Sequence, residues 1–267
     1  MAFKALAIDL DGTLLVGERI PVDNVGAVRS ARDAGFKIVI ATARWHQMAL
    51  RVAAELGIDG PIIACSGAQV HLPDAGRDIF DERLPEDFVE DLYRICDADR
   101  CVATVTVGDG VLLKLDGEPD HALMMPEMRW VRQLAGAADT LPRVAAIQGS
   151  KVNARIRAEL QPYYASRVHF FDSIGPTGKV ILTITSATAS KGAALAAACR
   201  HLGLTPSEVV AFGDADNDIE MFRIAGASVA MGQAADHVKE CATTVTLAND
   251  EAGVARAIER LLATGVP

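Results

Sequence analysis

The chain has 267 residues, 50% of them hydrophobic and 23% charged, with a net charge of -9. That length is enough for one large core or for two domains. The acidic balance, with no run of Lys/Arg, speaks against a nucleic-acid partner, and no run of about 18 uncharged apolar residues offers a membrane span. The five cysteines are scattered, odd in number and without metal-ligand spacing, which predicts buried free thiols in a reducing compartment. The chain enters its first strand with no basic-then-apolar leader, so a cytoplasmic protein is expected.

In chain order, Ala5 to Ile8 is an apolar run that predicts a buried strand, and Asp9-Leu10-Asp11-Gly12-Thr13 ends it. Side chains alternate along a strand, so Asp9 and Asp11 share a side if the strand persists. Pro21 to Ala34 predicts a helix, with Gly35 as its stop. Phe36 to Ala41 is a second strand, ending in Thr42-Ala43-Arg44. Trp45 to Leu56 is helical, and Pro61 to Cys65 is a third strand ending in Ser66-Gly67. Short alternating units with near-continuous apolar strands are the signature of a parallel α/β sheet.

From about Leu84 the pattern changes. Pro85 to Ala98 predicts an acidic amphipathic helix. Cys101–Thr106 and Val111–Leu115 flank Gly108-Asp109-Gly110, a hairpin signal. Val144–Gln148, Arg167–Phe171 and Lys179–Thr185 are strand-like, the last two joined by the turn Gly175-Pro176-Thr177-Gly178, and Val152–Leu160 is helical. This predicts an α+β insert of antiparallel hairpins, without a parallel sheet. Among its polar residues, Lys114, His121, Arg129 and Arg132 are candidates to face a ligand, although a solvated surface is the ordinary outcome for each. The α/β pattern then resumes with Ser190 capping a helix from Lys191 to Leu202. A strand Glu208–Phe212 runs into Gly213-Asp214-Ala215-Asp216-Asn217-Asp218, and a strand Ser228–Met231, another at Thr243–Leu247 and a closing helix Asp250–Leu262 follow. The expected organisation is one core (1-83 and 185-267) interrupted by an inserted domain (84-184).

Ligands of an open parallel sheet sit beyond the carboxyl ends of its strands. Asp9/Asp11, Thr42/Arg44, Lys191 and Asp214–Asp218 all fall at strand ends or helix starts on that side. Each alone reads as a turn, a cap or a solvated charge; together they compose a site. Asp9 and Asp214, with a backbone carbonyl such as that of Asp11, offer hard oxygen ligands for Mg²⁺. Thr42 offers a hydroxyl and the free N–H that follows it, and Lys191 offers a fixed positive charge. A carboxylate beside a neutralised phosphoryl group can act as nucleophile.

These motifs resemble the haloacid dehalogenase superfamily of phosphatases, in its Cof-type or subfamily IIB branch. They are Asp9-Leu10-Asp11-Gly12-Thr13-Leu14, Ala41-Thr42-Ala43-Arg44, Ser190-Lys191-Gly192 and Gly213-Asp214-Ala215-Asp216-Asn217-Asp218, with Ala225 to Gly232 downstream. The resemblance implies a Rossmann-like three-layer α/β core with a parallel sheet, and an inserted α+β cap domain of type C2B that closes over the site. It implies Asp9 as nucleophile and Mg²⁺ ligand, and Asp11 as acid/base and backbone ligand. Asp214 is implied as a further ligand, with Asp218 orienting the metal shell. Leu10, Thr42, Ala43, Lys191 and Asn217 are implied to cradle phosphate. The activity implied is Mg²⁺-dependent hydrolysis of a small soluble phosphomonoester through an aspartyl-phosphate. A phosphomutase and a non-catalytic phospho-ligand sensor are the alternatives, and the sequence leaves the oligomeric state open, monomer or weak dimer. Three positions depart from the pattern: Ala43 where Gly is common, Ser66 where Asn is common, and Gln233 where Asn is common. The last two put loop geometry and substrate contacts in question rather than the chemistry.

Overall fold

A computed structural model describes residues 3–174 and 178–267. Gly175, Pro176 and Thr177 of the expected Gly-Pro-Thr-Gly turn lie outside the described residues. The chain divides into two compact units, Met1–Phe80 with Ser190–Pro267, and Asp81–Ala189.

The first unit starts with β1 (Ala5–Ile8), α1 (Val22–Asp33), β2 (Lys37–Ala41), α2 (His46–Leu56) and β3 (Ile62–Ala64). Then come β4 (Gln69–Leu72) and β5 (Arg77–Asp81). The second unit contains α3 (Glu86–Ala98), β6 (Val102–Val107), β7 (Gly110–Lys114), β8 (Met128–Val131) and β9 (Val144–Gln148). It continues with α4 (Ser150–Glu159), α5 (Gln161–Tyr164), β10 (Val168–Ile174) and β11 (Val180–Ser186). The first unit resumes with α6 (Lys191–Leu202), β12 (Val209–Gly213), α7 (Ile219–Ile224) and β13 (Ala227–Ala230). It ends with α8 (Asp236–Lys239), β14 (Thr244–Val245) and α9 (Gly253–Thr264).

The sheet of the first unit runs β14-β13-β12-β1-β2-β3-β4-β5. It is parallel from β14 to β3, and β4 pairs antiparallel with β3. The apolar periodicity therefore identified the parallel part, whereas β4 and β5, short and half-polar, form an edge it did not reveal. Every residue of β1 is buried, as a strand covered on both faces requires. α6 packs an alanine-rich face onto this sheet; Ser190 Oγ accepts the Ala193 N–H at 3.1 Å, and Gly203 ends the helix at φ 67°.

The second unit has a sheet of order β10-β11-β9-β6-β7-β8. The β6–β7 hairpin turns at Gly108-Asp109, and β10 pairs antiparallel with β11. One pairing differs from the sequence expectation: β8, an unanticipated strand, runs parallel to β7. Phe88, Leu92 and Ile95 of α3 fill the core of this unit, and the Phe88 ring meets Tyr164 and Phe170 edge-on at 5.1 and 5.7 Å. Lys114 does not reach solvent; it is buried at the end of β7. Among the described residues, no helix is long and apolar enough to cross a membrane, and all five cysteines are free.

Candidate active site

The register of the central strands sets the site. Ile8 of β1 lies level with Ile40 of β2 and with Phe212 of β12. The residues after these strands, Asp9, Thr42 and Asp214, therefore emerge at one edge. Asp9 N–H still donates to the Phe212 carbonyl, and Thr42 N–H to that of Ile63.

Beyond Asp9 the strand does not persist. Leu14 N–H returns to the Asp9 carbonyl, and Thr13 and Leu15 N–H both return to that of Leu10. Gly12 makes this turn at φ 80°, where a Cβ would lie 2.3 Å from Asp214 Oδ2. Asp9 and Asp11 consequently part. The Asp9 side chain is 6% exposed and that of Asp11 52% exposed.

Lys191, the first residue of α6, is fully buried. Its ammonium donates to Asp9 Oδ1 and to Asp218 Oδ1, each at 2.6 Å. A cation at a helix N-terminus is unfavourable, and these two carboxylates offset the helix dipole. Asp218 is itself anchored, its Oδ2 accepting the N–H groups of Asp214 and Ala215 at 3.0 Å. A Cβ on Gly213 would fall 2.4 Å from the Asp218 carboxyl carbon, so that position has no room for a side chain.

Asp9, Asp214 and Asp218 each present a carboxylate oxygen within 4.8 Å of the others. Three acids and one lysine leave an excess of two negative charges in a largely dry site. Burial, then the neighbouring Asp218 and Asp214, push Asp9 up to about 8 against the pull of Lys191. Burial and Asp218 push Asp214 up to about 6. Lys191 is held charged above its ordinary range, its two carboxylates outweighing burial. Hard oxygen donors with uncompensated charge suit a divalent cation such as Mg²⁺.

Asp11 stands apart from this cluster. Both its oxygens are taken by Arg44, Nε to Oδ2 at 2.9 Å and Nη2 to Oδ1 at 2.6 Å, while Nη1 reaches Glu18 at 2.8 Å. Of the expected phosphate cradle, Thr42 is buried and its Oγ1 accepts the Arg44 N–H at 3.1 Å. Leu10 is buried, Ala43 exposed, and Asn217 half-buried in the turn after Asp214.

Several residues of the site were not legible as such. Thr13 Oγ1 donates to Asp214 Oδ1 at 3.3 Å. Gln233 Nε2 donates to the Gly12 carbonyl at 2.5 Å while its Oε1 accepts the Asn249 N–H. Its departure from the usual Asn was visible, but its partner lies 221 residues away. Cys65 and Ser66 adopt φ of 55° and 56°. This strained loop donates Ser66 N–H to the Thr42 carbonyl, and Gly67 packs against the Ser190–Lys191 backbone. Ser66 Oγ and Trp45 Nε1 are buried without a hydrogen-bond partner.

A family model described as haloacid dehalogenase-like hydrolase matches residues 6–258. The chain is 29% identical over 288 residues to the phosphatase YwpJ of Bacillus subtilis (strain 168), covering 97% of this chain and 100% of that protein. It is also 29% identical to the 5-amino-6-(5-phospho-D-ribitylamino)uracil phosphatase YwtE of the same organism, over 97% of this chain and 98% of that one. Among solved structures, a haloacid dehalogenase-like hydrolase from Bacteroides thetaiotaomicron superposes with a TM-score of 0.82 at 26% identity, covering 97% of this chain and 99% of that chain.

Proposed function

Because the chain belongs to the haloacid dehalogenase-like hydrolase family and is a phosphatase of small phosphorylated metabolites, we propose that Asp9 is its nucleophile and Asp11 its acid/base. The observation that carries this reading is the double bridge of Lys191 to Asp9 and Asp218, with Asp214 beside them. Lys191 takes one oxygen of Asp9 and fixes the carboxylate plane, which leaves the other oxygen for phosphorus. That oxygen attacks, the bond from phosphorus to the leaving oxygen breaks, and Asp11 gives the leaving oxygen a proton. Asp11 then takes a proton from water, whose oxygen displaces Asp9 from phosphorus and restores its carboxylate. Proton transfer of this kind contributes about 10²–10⁴-fold. Arg44 holds both oxygens of Asp11, so that pair opens for either transfer.

Asp9 and Asp214 would hold Mg²⁺ with the Asp11 carbonyl, and Asp218 would orient that shell. Bound there, the ion supplies positive charge for the phosphoryl oxygens. Thr42, the Ala43 and Leu10 N–H groups, Lys191 and Asn217 form the proposed phosphate cradle. This set recognises phosphate and nothing of the group attached to it. Sugar and ribityl phosphates therefore come first in a substrate panel, as the ribitylaminouracil phosphatase relative suggests. The five free thiols support a cytoplasmic protein.

Phosphate release across such a panel with Mg²⁺ tests the reading. Asp9→Asn is expected to fold and to lose at least about 10³-fold in turnover on every substrate that the wild type cleaves. Substantial residual turnover in the folded variant would remove Asp9 as nucleophile.

A further inference from the structure

The second unit buries a cation of its own. Lys114 is 5% exposed, and its ammonium contacts the Asp99 carbonyl oxygen at 3.3 Å and Cys101 Sγ at 3.9 Å. The β6–β7 ladder explains the meeting. Lys114 lies opposite Ala103, and a residue two before Ala103 faces the same side. Among the described residues, no carboxylate lies within ion-pair distance of Lys114, and the nearby acids are engaged elsewhere. Asp97 accepts the Leu134 and Ala135 N–H groups, Asp99 takes Arg155 at 3.1 Å, and Asp116 pairs with Arg100. A buried ammonium without a counter-charge is costly. Cys101 is the neighbour able to supply that charge, by releasing its proton.

A second thiol assists. Cys96, in the last turn of α3, lies beside Cys101, whose Sγ donates to the Cys96 carbonyl at 3.6 Å. The neighbouring Cys96 side chain and the charge of Lys114 outweigh burial and bring the Cys101 thiol down to about 7, while Cys96 is held well above its ordinary range. Cys101 is not sealed off: it lines a cavity of about 360 Å³ with Arg100, Asp116, Gly117, Glu118 and Gln148.

We propose that Cys101, paired with Lys114, is a reactive thiolate that is oxidised by peroxides, with Cys96 as the thiol that converts the product to a disulfide. The Cys101 sulfur attacks one peroxide oxygen, the O–O bond breaks, and the departing hydroxide takes a proton and leaves as water. Cys101 is then a sulfenic acid. The Cys96 sulfur gives up its proton and attacks the Cys101 sulfur; the S–O bond breaks, and hydroxide leaves with that proton as a second water. Two thiols become one disulfide, and one peroxide becomes two waters. The disulfide ties the end of α3 to the start of β6. None of this depends on the phosphatase site.

The test uses the intact reduced protein. Iodoacetamide alkylation is followed peptide by peptide by mass spectrometry across a pH series, with the partly exposed Cys241 as internal control. The groups facing Cys101 are Cys96 and Asp97 of α3, Asp99 after it, and Lys114 of β7, with Tyr93 behind Cys96 and Arg155 behind Asp99. The Cys101 profile is expected to have its midpoint near 7. In Lys114→Met it should rise by more than about one pH unit, and the rate at pH 7 should fall roughly 3-fold once the higher nucleophilicity of a more basic thiolate is allowed for. Cys241 should not change. Hydrogen peroxide should yield a Cys96–Cys101 disulfide in the wild type, and in Cys96→Ser a sulfenic acid on Cys101 that dimedone traps. A Cys101 midpoint at about 8.5, the ordinary thiol value, would overturn the proposal. So would a midpoint unmoved in folded Lys114→Met, or peroxide leaving both thiols reduced. If Lys114→Met does not fold, the wild-type midpoint and the Cys96→Ser trapping decide.

Discussion

Lys191 and Lys114 are both buried, one in each unit, and their surroundings differ in kind. Lys191 has two carboxylates at 2.6 Å, brought from β1 and from the turn after β12. Lys114 has a carbonyl and a sulfur. The partners of Lys191 cannot move away: Asp218 is pinned by two backbone N–H groups, and Asp9 follows a strand with no exposed residue. The partner of Lys114 can drop its charge by picking up a proton near neutral pH. A buried lysine held between two anchored carboxylates still has the second beside it when Asp9 takes up a proton, whereas Lys114 has one thiol and loses its only counter-charge when that thiol is protonated. That contrast separates a site organised for a single reaction from one that changes with its surroundings.

Lys191→Met tests the fixed side and carries the largest expected effect. It leaves Asp9 and Asp218 facing each other, buried and without their cation. Breaking a buried pair on one side costs about 3 kcal/mol or more, so the urea midpoint at neutral pH should fall accordingly. Turnover should drop at least about 10³-fold, since Asp9 loses both its orientation and its positive neighbour. A variant of near wild-type stability would mean that Lys191 only fills space.

How much of this was legible beforehand follows the range of the interactions. The strand-helix alternation and the acids at strand ends are local, and the central sheet from β14 to β3 emerges as the apolar pattern predicts. Asp9, Asp214 and Lys191 meet as their positions at strand ends and a helix start require. The divergence of Asp9 from Asp11 was not readable from alternation, because the strand ends before Asp11 and the chain turns back on the Asp9 and Leu10 carbonyls. The Arg44 fork on Asp11, the Gln233 bond to Gly12 and the Thr13 bond to Asp214 join segments 33 to 221 residues apart. No local pattern encodes such pairs. Lys114 looked like a surface residue for the same reason: its burial depends on α3 and β6 together, not on its own strand.

Mg²⁺ binding tests the fixed site from the other direction, with a smaller effect. Without metal, burial holds Asp9 at about 8 and Asp214 at about 6, against an ordinary 3.8. Both are raised, so the stability they contribute is present at low pH and is lost as pH rises through these values. Mg²⁺ binds the deprotonated acids, so its binding releases protons and strengthens with pH. Affinity by titration calorimetry should rise by up to about tenfold per unit between pH 6 and 8, more steeply below 6, and level off above about 8. The rise in melting temperature on adding Mg²⁺ should follow the same course. Affinity that does not vary between pH 6 and 9 would show that the acid cluster is not where the ion binds.

The smallest expected change completes the contrast. Lys114→Met replaces the buried ammonium by an apolar side chain of similar length, and Cys101 needs only to keep its proton to leave no charge behind. Removing a buried cation whose partner can neutralise itself is close to neutral for stability. The new side chain faces a core already lined by Ala103, Cys96 and Leu112, so packing sets the sign. The change in unfolding free energy should stay under about 1 kcal/mol in either direction. It should also be far smaller than that of Lys191→Met when both are measured in the same urea titration. A loss as large as the one at Lys191 would mean that Cys101 stays ionised without its lysine, and that the thiol is held charged by the surrounding fold rather than by Lys114.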